Sequence, residues 1–147
     1  MPGSRAANDA SRAVVDETRL KELIALAQAV STRAYCPYSK FPVGAVVISA
    51  SGTAYAGCNV ENAAYGETIC AERSAIVQMV AAGEQDFKII VIYTPTQVAS
   101  ASCGSCRQVM NEFSPNARII SVCDTDDRID TRVSEFLPAA FGPRNLA

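Results

Sequence analysis

Three cysteines and one glutamate form the part of this sequence best suited to chemistry. Cys70 is followed two positions later by Glu72, and Cys103 is followed three positions later by Cys106. Three thiolates can hold one zinc ion and leave a fourth position for water, which is the pattern of a catalytic rather than a structural zinc site. Glu72 is not needed as a ligand. The spacing therefore predicts a catalytic zinc site with a carboxylate beside it.

The lack of histidine restricts which side chains can move protons. The 147-residue sequence contains no histidine, which excludes a histidine nucleophile triad, a histidine zinc site and a histidine general base. Proton transfer near neutral pH then falls to a carboxylate, cysteine, lysine or tyrosine. Glu72 is the candidate, because it can accept a proton from water, deliver one to a ring nitrogen and protonate a leaving amine.

Both cysteine groups are predicted at the N-termini of helices. Unpaired N–H groups and the positive end of the helix dipole lower the pKa of a thiol there and favour thiolate binding to metal. Three thiolates outweigh the charge of one Zn²⁺ ion, which weakens its Lewis acidity. We predict that Arg73 offsets this charge by donating to a ligand sulfur. A surface arginine without such a role is the alternative.

The residues alone leave two other uses of the cysteines open. A redox pair formed by Cys103 and Cys106 would leave Cys70 and Glu72 without a role. A noncatalytic zinc module would use Cys58 as a fourth sulfur and close the site. The three cysteines outside the pattern are otherwise expected to be small buried side chains: Cys36, Cys58 and Cys123.

Composition and charge narrow the class of protein. At 147 residues and 49% hydrophobic, the chain is long enough for one core and short for two. A net charge of -2 argues against a nucleic-acid partner. No segment approaches ~20 apolar residues and the N-terminus has no signal-peptide core, so no membrane partner is expected. We expect a cytoplasmic protein, whose cysteines remain reduced.

Periodicity and turn signals predict the elements that must position these residues. Residues 1–15 are expected to be a flexible N-terminal segment and residues 16–147 a single domain. Helices are predicted over residues 18–34, 70–82, 103–114 and 133–137. Strands are predicted over residues 43–49, 53–60, 88–93, 118–123 and 128–132, the first two as an antiparallel hairpin. This order predicts an α/β fold, a three-layer α/β/α sandwich with a mixed central sheet of about five strands.

Several segments of the sequence resemble a known family. Cys70-Ala71-Glu72 with Cys103-x-x-Cys106 resembles the signature of the zinc nucleoside and nucleotide deaminases. Other segments, from about residue 18 to the C-terminus, resemble the small cytidine deaminases in particular. They are Tyr38-Ser39-x-Phe41-Pro42-Val43-Gly44-Ala45, Gly57-Cys58-Asn59-Val60-Glu61-Asn62-Ala63, Cys70-Ala71-Glu72-Arg73, Cys103-Gly104-x-Cys106-Arg107-Gln108 and Leu137-Pro138-x-x-Phe141-Gly142-Pro143. The resemblance implies zinc-dependent deamination of cytidine and 2′-deoxycytidine in pyrimidine salvage, usually by a homotetramer.

The resemblance also implies which residues contact the nucleoside. Phe41 would pack on it, Asn59 and Glu61 would hold the ribose hydroxyls, and Ala71 would offer backbone groups to the base. Independently of the resemblance, Asn59 and Glu61 alternate along a strand end and are expected to point to the same side. An amide and a carboxylate there could hydrogen-bond a vicinal diol, although an ordinary loop after a strand could carry the same residues.

Two further contacts are implied to come from neighbouring subunits. Tyr65 would approach the ribose from a neighbouring subunit, and Phe141 would likewise stack on the base across an interface. Taken alone, Phe41 and Phe141 are more typical of core residues than of stacking surfaces.

The sequence departs from the family pattern at two positions. Ser102 stands before the second ligand cysteine, where the family normally has proline, which puts the rigidity and the peptide geometry of this loop in question. Glu67 stands near the start of the second predicted helix, where an apolar or small residue is expected. Two related activities remain open: deamination of another cytosine-bearing compound, such as a nucleoside antibiotic, and nucleic-acid editing, against which the acidic charge counts.

Overall fold

A computed structural model describes residues 15–147 of the chain, which form both helices and strands. The elements are α1 Glu17–Ser31, β1 Gly44–Ser49, β2 Ala54–Cys58, α2 Ala71–Ala81, β3 Phe87–Tyr93, α3 Gly104–Phe113, β4 Arg118–Val122, β5 Arg128–Arg132 and α4 Val133–Phe136. Two short 3₁₀ helices, Tyr65–Glu67 and Pro143–Asn145, are additions to the predicted set. The segment predicted to be flexible lies outside the described residues, except for residue 15. Within residues 15–147, no helix has both the length and the apolar character to cross a bilayer.

The strands form one mixed sheet in the order β2-β1-β3-β4-β5. β1 is antiparallel to both β2 and β3, with Val46 opposite Ala56 on one side and opposite Val91 on the other. β3 and β4 are parallel and are joined by the crossover connection that parallel neighbours need, which here contains α3, and β5 returns antiparallel to β4. The predicted hairpin and the predicted mixed sheet of five strands are both confirmed.

Helices cover both faces of the sheet, which confirms the three-layer arrangement. On one face, α1 packs through Leu20, Leu23 and Ala27 against alternate residues of the central strands. On the other face, α2, α3 and α4 share a second buried cluster with the sheet. Its helical members are Ala71, Ala75, Ile76, Met79, Cys106, Met110 and Val133.

Two glycines let helices lie directly on the hairpin. A Cβ atom on Gly44 would lie 1.8 Å from the carbonyl oxygen of Ala27 in α1, and one on Gly57 would lie 2.4 Å from the backbone nitrogen of Ala75 in α2. No side chain fits at such distances. The hairpin is therefore held closely between α1 and α2, which fixes the position of the N-terminus of α2.

Candidate functional site

The three predicted ligand cysteines come together where α2 and α3 begin. Cys70 is the N-cap residue of α2, Cys103 is the N-cap residue of α3, and Cys106 lies in the first turn of α3. Their Sγ atoms all lie within 4.8 Å of one another. Those of Cys70 and Cys103 are 3.9 Å apart. The predicted helix N-termini therefore do bring the thiols to one point.

The geometry and chemistry of this cluster fit a zinc ion. Sulfur atoms at tetrahedral positions around zinc, with Zn–S bonds of about 2.3 Å, lie roughly 3.8 Å apart, close to the separation of the Cys70 and Cys103 sulfurs. Among residues 15–147, no other group of three or more histidine, cysteine, aspartate or glutamate side chains converges in this way. Cys58 is not part of the cluster. The site thus offers three sulfurs and leaves a fourth tetrahedral position open.

The three thiols interact with one another and with Arg73, and these interactions shift the pKa values of Cys70 and Cys106. The pKa of the Cys70 thiol falls to about 5, mainly because the Cys106 thiol donates to it, with smaller contributions from Arg73 and Cys103. The pKa of Cys106 rises, because its proton is held in the bond to Cys70 and because the thiol is buried. Nη2 of Arg73 lies 3.5 Å from Sγ of Cys70. This is the contact with a ligand sulfur that the sequence predicts for Arg73.

Glu72 lies in the first turn of α2 and is almost completely buried. Only 6% of the residue is exposed, and this burial raises the pKa of its carboxyl, with an added rise from the negative charge on Cys70. Despite its burial, Glu72 lines the same cavity as Cys70 and Cys103. A carboxyl group that is buried, faces a cavity and has a raised pKa is suited to accept and return a proton.

The cavity in front of the cysteines is large enough for a small ligand. It has a volume of about 440 Å³, within the usual range for ligand pockets. Five of the residues predicted to contact substrate or protons line it: Phe41, Asn59, Glu61, Ala71 and Glu72. Side chains predicted from separate segments of the sequence are therefore collected around one space.

Asn59 and Glu61 face this cavity and also support the loop before β1. Oδ1 of Asn59 accepts from the backbone of Val43 at 2.8 Å, and its Nδ2 donates to the carbonyl of Phe41 at 2.8 Å. Oε1 of Glu61 accepts from the backbone N–H groups of Tyr38 and Ser39 at 3.0 and 3.1 Å. Hydrogen bonds from Ser39 lower the pKa of the Glu61 carboxyl. This support was not predictable from the sequence, because nothing in it indicates that the two segments meet.

Tyr65 and Phe141 lie outside the cavity and are largely exposed. Tyr65 is 74% exposed and Phe141 59% exposed. The ring of Tyr65 makes an edge contact with Tyr38, with 5.7 Å between centroids, beside a second depression that includes Glu61. Gln108 anchors the backbone of Phe141 by donating to its carbonyl oxygen at 2.8 Å. Neither Tyr65 nor Phe141 is among the residues that line the cavity in front of the cysteines.

Several expectations about burial need correction. Residue type alone suggests that Phe41 and Phe141 belong to the core, but both are exposed. Of the cysteines outside the cluster, Cys123 is buried as expected, but Cys36 and Cys58 are only half-buried. Cys58 ends the edge strand β2, and Cys36 lies in the connection between α1 and β1.

The two departures from the family pattern have different surroundings. Glu67 is exposed in the 3₁₀ helix Tyr65–Glu67, before α2 begins, so its charge stays in water. Ser102 is buried, and the described residues contain no cis peptide bond. Arg107 fixes the Ser102 loop: its Nε donates to the carbonyl of Ser102 at 2.7 Å, and its guanidinium lies 4.4 Å from the ring centroid of Phe136. No pattern in the sequence indicates this role for Arg107.

The fold and this site together define a zinc-dependent hydrolytic deaminase. Comparisons with known proteins agree. The family model for the cytidine and deoxycytidylate deaminase zinc-binding region matches residues 17–122. A cytidine deaminase of Sporosarcina psychrophila is 40% identical over 129 residues, covering 87% of this chain and 95% of the relative. The chain therefore belongs to the cytidine and deoxycytidylate deaminase family.

Solved structures are similar over almost their whole length. The crystal structure of cytidine deaminase from Burkholderia pseudomallei has a TM-score of 0.80 and 40% identity, covering 82% of this chain and 98% of that one. The crystal structure of cytidine deaminase from Mycobacterium tuberculosis has a TM-score of 0.74 and 32% identity, covering 88% and 99%. The fold and the identity of the chain's family are thus supported independently by sequence and by structure.

Proposed function

We propose that this protein hydrolyses cytidine and 2′-deoxycytidine to uridine and 2′-deoxyuridine with release of ammonia. The observation that carries the proposal is the position of Glu72, a buried carboxyl that shares one cavity with two of three convergent thiols. Hydrolytic deamination requires a metal site and a proton-transferring group that share one small cavity. Relatives and structures described as cytidine deaminases, at 40% identity, add support.

The metal ion and the Glu72 carboxylate would have different roles in the reaction. Cys70, Cys103 and Cys106 would hold the zinc ion, which as a Lewis acid would lower the pKa of water at the site. Glu72 would accept a proton from a water molecule in the cavity and deliver it to ring nitrogen N3 of the base while the water oxygen adds at C4. Glu72 then takes the second proton from the hydroxyl group now on C4 and transfers it to the amino group, so that the C4 carbonyl forms as the bond between C4 and that nitrogen breaks and ammonia leaves. The raised pKa of Glu72 fits a group that must hold protons as well as accept them.

The remaining cavity residues would orient the nucleoside. Phe41 offers an aromatic surface at the cavity, and Ala71 offers its backbone beside Glu72. Oε1 of Glu61 is occupied by two backbone donors, so a sugar hydroxyl would approach Oε2. The Asn59 amide retains one N–H for the sugar after donating to the Phe41 carbonyl. Binding the sugar away from the reacting carbon would align the base with the metal and Glu72.

We further propose that the protein acts as a homotetramer whose cavities are completed by neighbouring chains. Tyr65 and Phe141 are the implied contacts, and their exposure leaves both rings available to another subunit. Sedimentation of the zinc-loaded protein should give the mass of four chains. The three ligand thiols must also remain reduced, which fits the cytoplasmic location expected from the sequence.

The proposed function is tested by turnover of cytidine. Zinc-loaded protein should release ammonia and convert the absorbance of cytidine to that of uridine, and removal of zinc with a chelator should stop this until zinc is restored. A cytosine-bearing nucleoside antibiotic, assayed in parallel, tests the related activity. If the antibiotic were consumed with far higher kcat/KM than cytidine, the substrate assignment would be wrong although the reaction class would stand.

A further inference from the structure

Ser102 carries a buried hydroxyl group and lines the same cavity as the candidate catalytic carboxyl. The residue is 4% exposed, and its Oγ atom has no hydrogen-bond partner that meets geometric criteria. A buried hydroxyl without a partner is unfavourable, and native structures rarely leave one unexplained. Because Ser102 lines the same cavity as Glu72, the hydroxyl has a possible partner in the site itself.

The backbone of Ser102 leaves its hydroxyl little freedom to move elsewhere. Arg107 donates from Nε to the carbonyl of Ser102 at 2.7 Å and from Nη1 to the carbonyl of Phe136 at 3.0 Å. Cys103, the next residue, caps α3. The backbone from the Ser102 carbonyl onward is thus held in place, and rotation about the Cα–Cβ bond of Ser102 is the simplest way to redirect its hydroxyl.

The Glu72 carboxyl is the acceptor best placed to meet this hydroxyl. Glu72 follows Cys70 by two residues and Ser102 precedes Cys103, and the Sγ atoms of these cysteines are 3.9 Å apart, so the two segments meet at the cysteine cluster. Of the two carboxylates that line the cavity, Glu61 already accepts from two backbone N–H groups through Oε1, which leaves Glu72. Rotation about the Cα–Cβ bond of Ser102 would direct its hydroxyl to this buried carboxylate, and hydrogen bonds to charged groups are among the stronger kinds.

We propose that Ser102 is a positioning residue whose hydroxyl donates a hydrogen bond to the Glu72 carboxylate and fixes the orientation of that carboxylate toward the substrate. This inference rests on the proposed deaminase function. A carboxylate that transfers protons to two different nitrogen atoms benefits from a fixed orientation, because misplacement of a reacting group lowers the rate of the chemical step. Substrate binding does not depend on the hydroxyl, so its loss should change kcat and not KM.

Four variants of the full-length, zinc-loaded protein test the proposal. Ser102→Ala should lower kcat for cytidine about 10-fold or more, as expected for loss of a hydrogen bond to a charged group. KM and zinc content should stay near those of the unmodified protein. Ser102→Thr and Ser102→Val form a matched pair of equal shape, and only Thr should recover most of the loss. Ser121→Ala is the control, because Ser121 is another buried serine whose Oγ lacks a partner, on β4 and outside the cavity lining.

The outcomes separate this proposal from the proposed function. If the unmodified protein turns over cytidine but Ser102→Ala has the same kcat, or if Thr and Val variants lose activity equally, the role of Ser102 is refuted and the function stands. If the unmodified protein does not turn over cytidine, the function fails, and a high-resolution crystal structure of the zinc-loaded protein still decides the contact. That structure should place Oγ of Ser102 about 2.5–2.8 Å from a Glu72 carboxylate oxygen. An Oγ directed at a different acceptor would overturn the proposal.

Discussion

The guanidinium of Arg73 lies within 3.5 Å of the Cys70 sulfur, one turn further along the helix that Cys70 caps. The same Nη2 atom also donates to the carbonyl of Thr68 at 3.2 Å, so the guanidinium lies between the residues that precede α2 and the three-cysteine cluster. Positive charge at a thiolate stabilises the charged form of the ligand and offsets the excess negative charge of a three-sulfur zinc site.

Removing this guanidinium should weaken zinc binding. Arg73→Gln is expected to lower zinc affinity about 10-fold or more, the usual effect of removing a partner of a metal ligand. Competition with a chromogenic chelator measures the affinity. Arg118→Gln is the control, because Arg118 pairs with Asp130 on the neighbouring strand. Equal affinities in the two variants would show that Arg73 does not act on the metal site.

Glu72→Gln should separate metal binding from catalysis. The substitution keeps the shape of the side chain and removes its ability to accept a proton, so kcat should fall at least ~100-fold. Zinc content and the thermal unfolding temperature should remain close to those of the unmodified protein, because Glu72 is not a ligand. Metal analysis and steady-state kinetics on the same preparation decide the matter, and near-normal turnover would contradict the role assigned to Glu72.

The six cysteines should fall into two groups when replaced one at a time. Cys70→Ala, Cys103→Ala and Cys106→Ala should each lose zinc, because only these sulfurs converge. Cys36→Ala and Cys123→Ala are matched controls that should retain it. Cys58→Ala tests whether the site is a closed structural one. If this variant lost zinc to the same degree as the three ligand variants, Cys58 would be a fourth sulfur ligand and the open site would be contradicted.

Much of the fold could be predicted because its signals are local. The strand Arg128–Arg132 was predicted with its observed bounds, and α2 begins one residue later than predicted because Cys70 serves as its N-cap. Helix α1 ends at Ser31, before the predicted end at residue 34, because residues 32–34 turn through hydrogen bonds back to residues 29–31. The 3₁₀ helices lack a distinctive sequence pattern and were missed.

The site was predictable only as far as residue types carry chemistry. Cysteine and glutamate at this spacing indicate metal and proton chemistry, and the structure brings them together. The tie between Asn59 and the backbone at Phe41 and Val43 depends on how a loop passes over a strand end, and the sequence contains no signal for that contact. Ser102 is likewise buried in a loop whose carbonyl accepts a hydrogen bond from Arg107, and the sequence contains no signal for that contact.

Glu61 should restrict the enzyme to free nucleosides. A 3′-phosphate would bring negative charge against its carboxylate and remove a hydroxyl donor, and a site built around such a hydrogen bond can reject an analogue by up to ~10,000-fold. Cytidine and 2′-deoxycytidine should therefore be turned over, free cytosine poorly, and cytidine 3′-monophosphate and single-stranded DNA not detectably. Chromatography of the products measures each reaction.

Glu61→Gln provides the matched variant for this prediction. It should raise KM for cytidine while leaving zinc content unchanged. Glu22→Gln, an exposed change on α1, is the control. Efficient deamination of the 3′-monophosphate or of an oligonucleotide by the unmodified protein would refute the sugar contact and favour a nucleic-acid editing role.

Zinc X-ray absorption spectroscopy of the full-length protein shows whether three cysteines hold zinc in a site open for catalysis. We expect three sulfur atoms at about 2.3 Å and one oxygen or nitrogen atom at about 2.0 Å from the zinc. Cys58→Ala should give the same spectrum. Four sulfur atoms around the zinc of the unmodified protein would contradict the account, because a closed site leaves no position at which water could react.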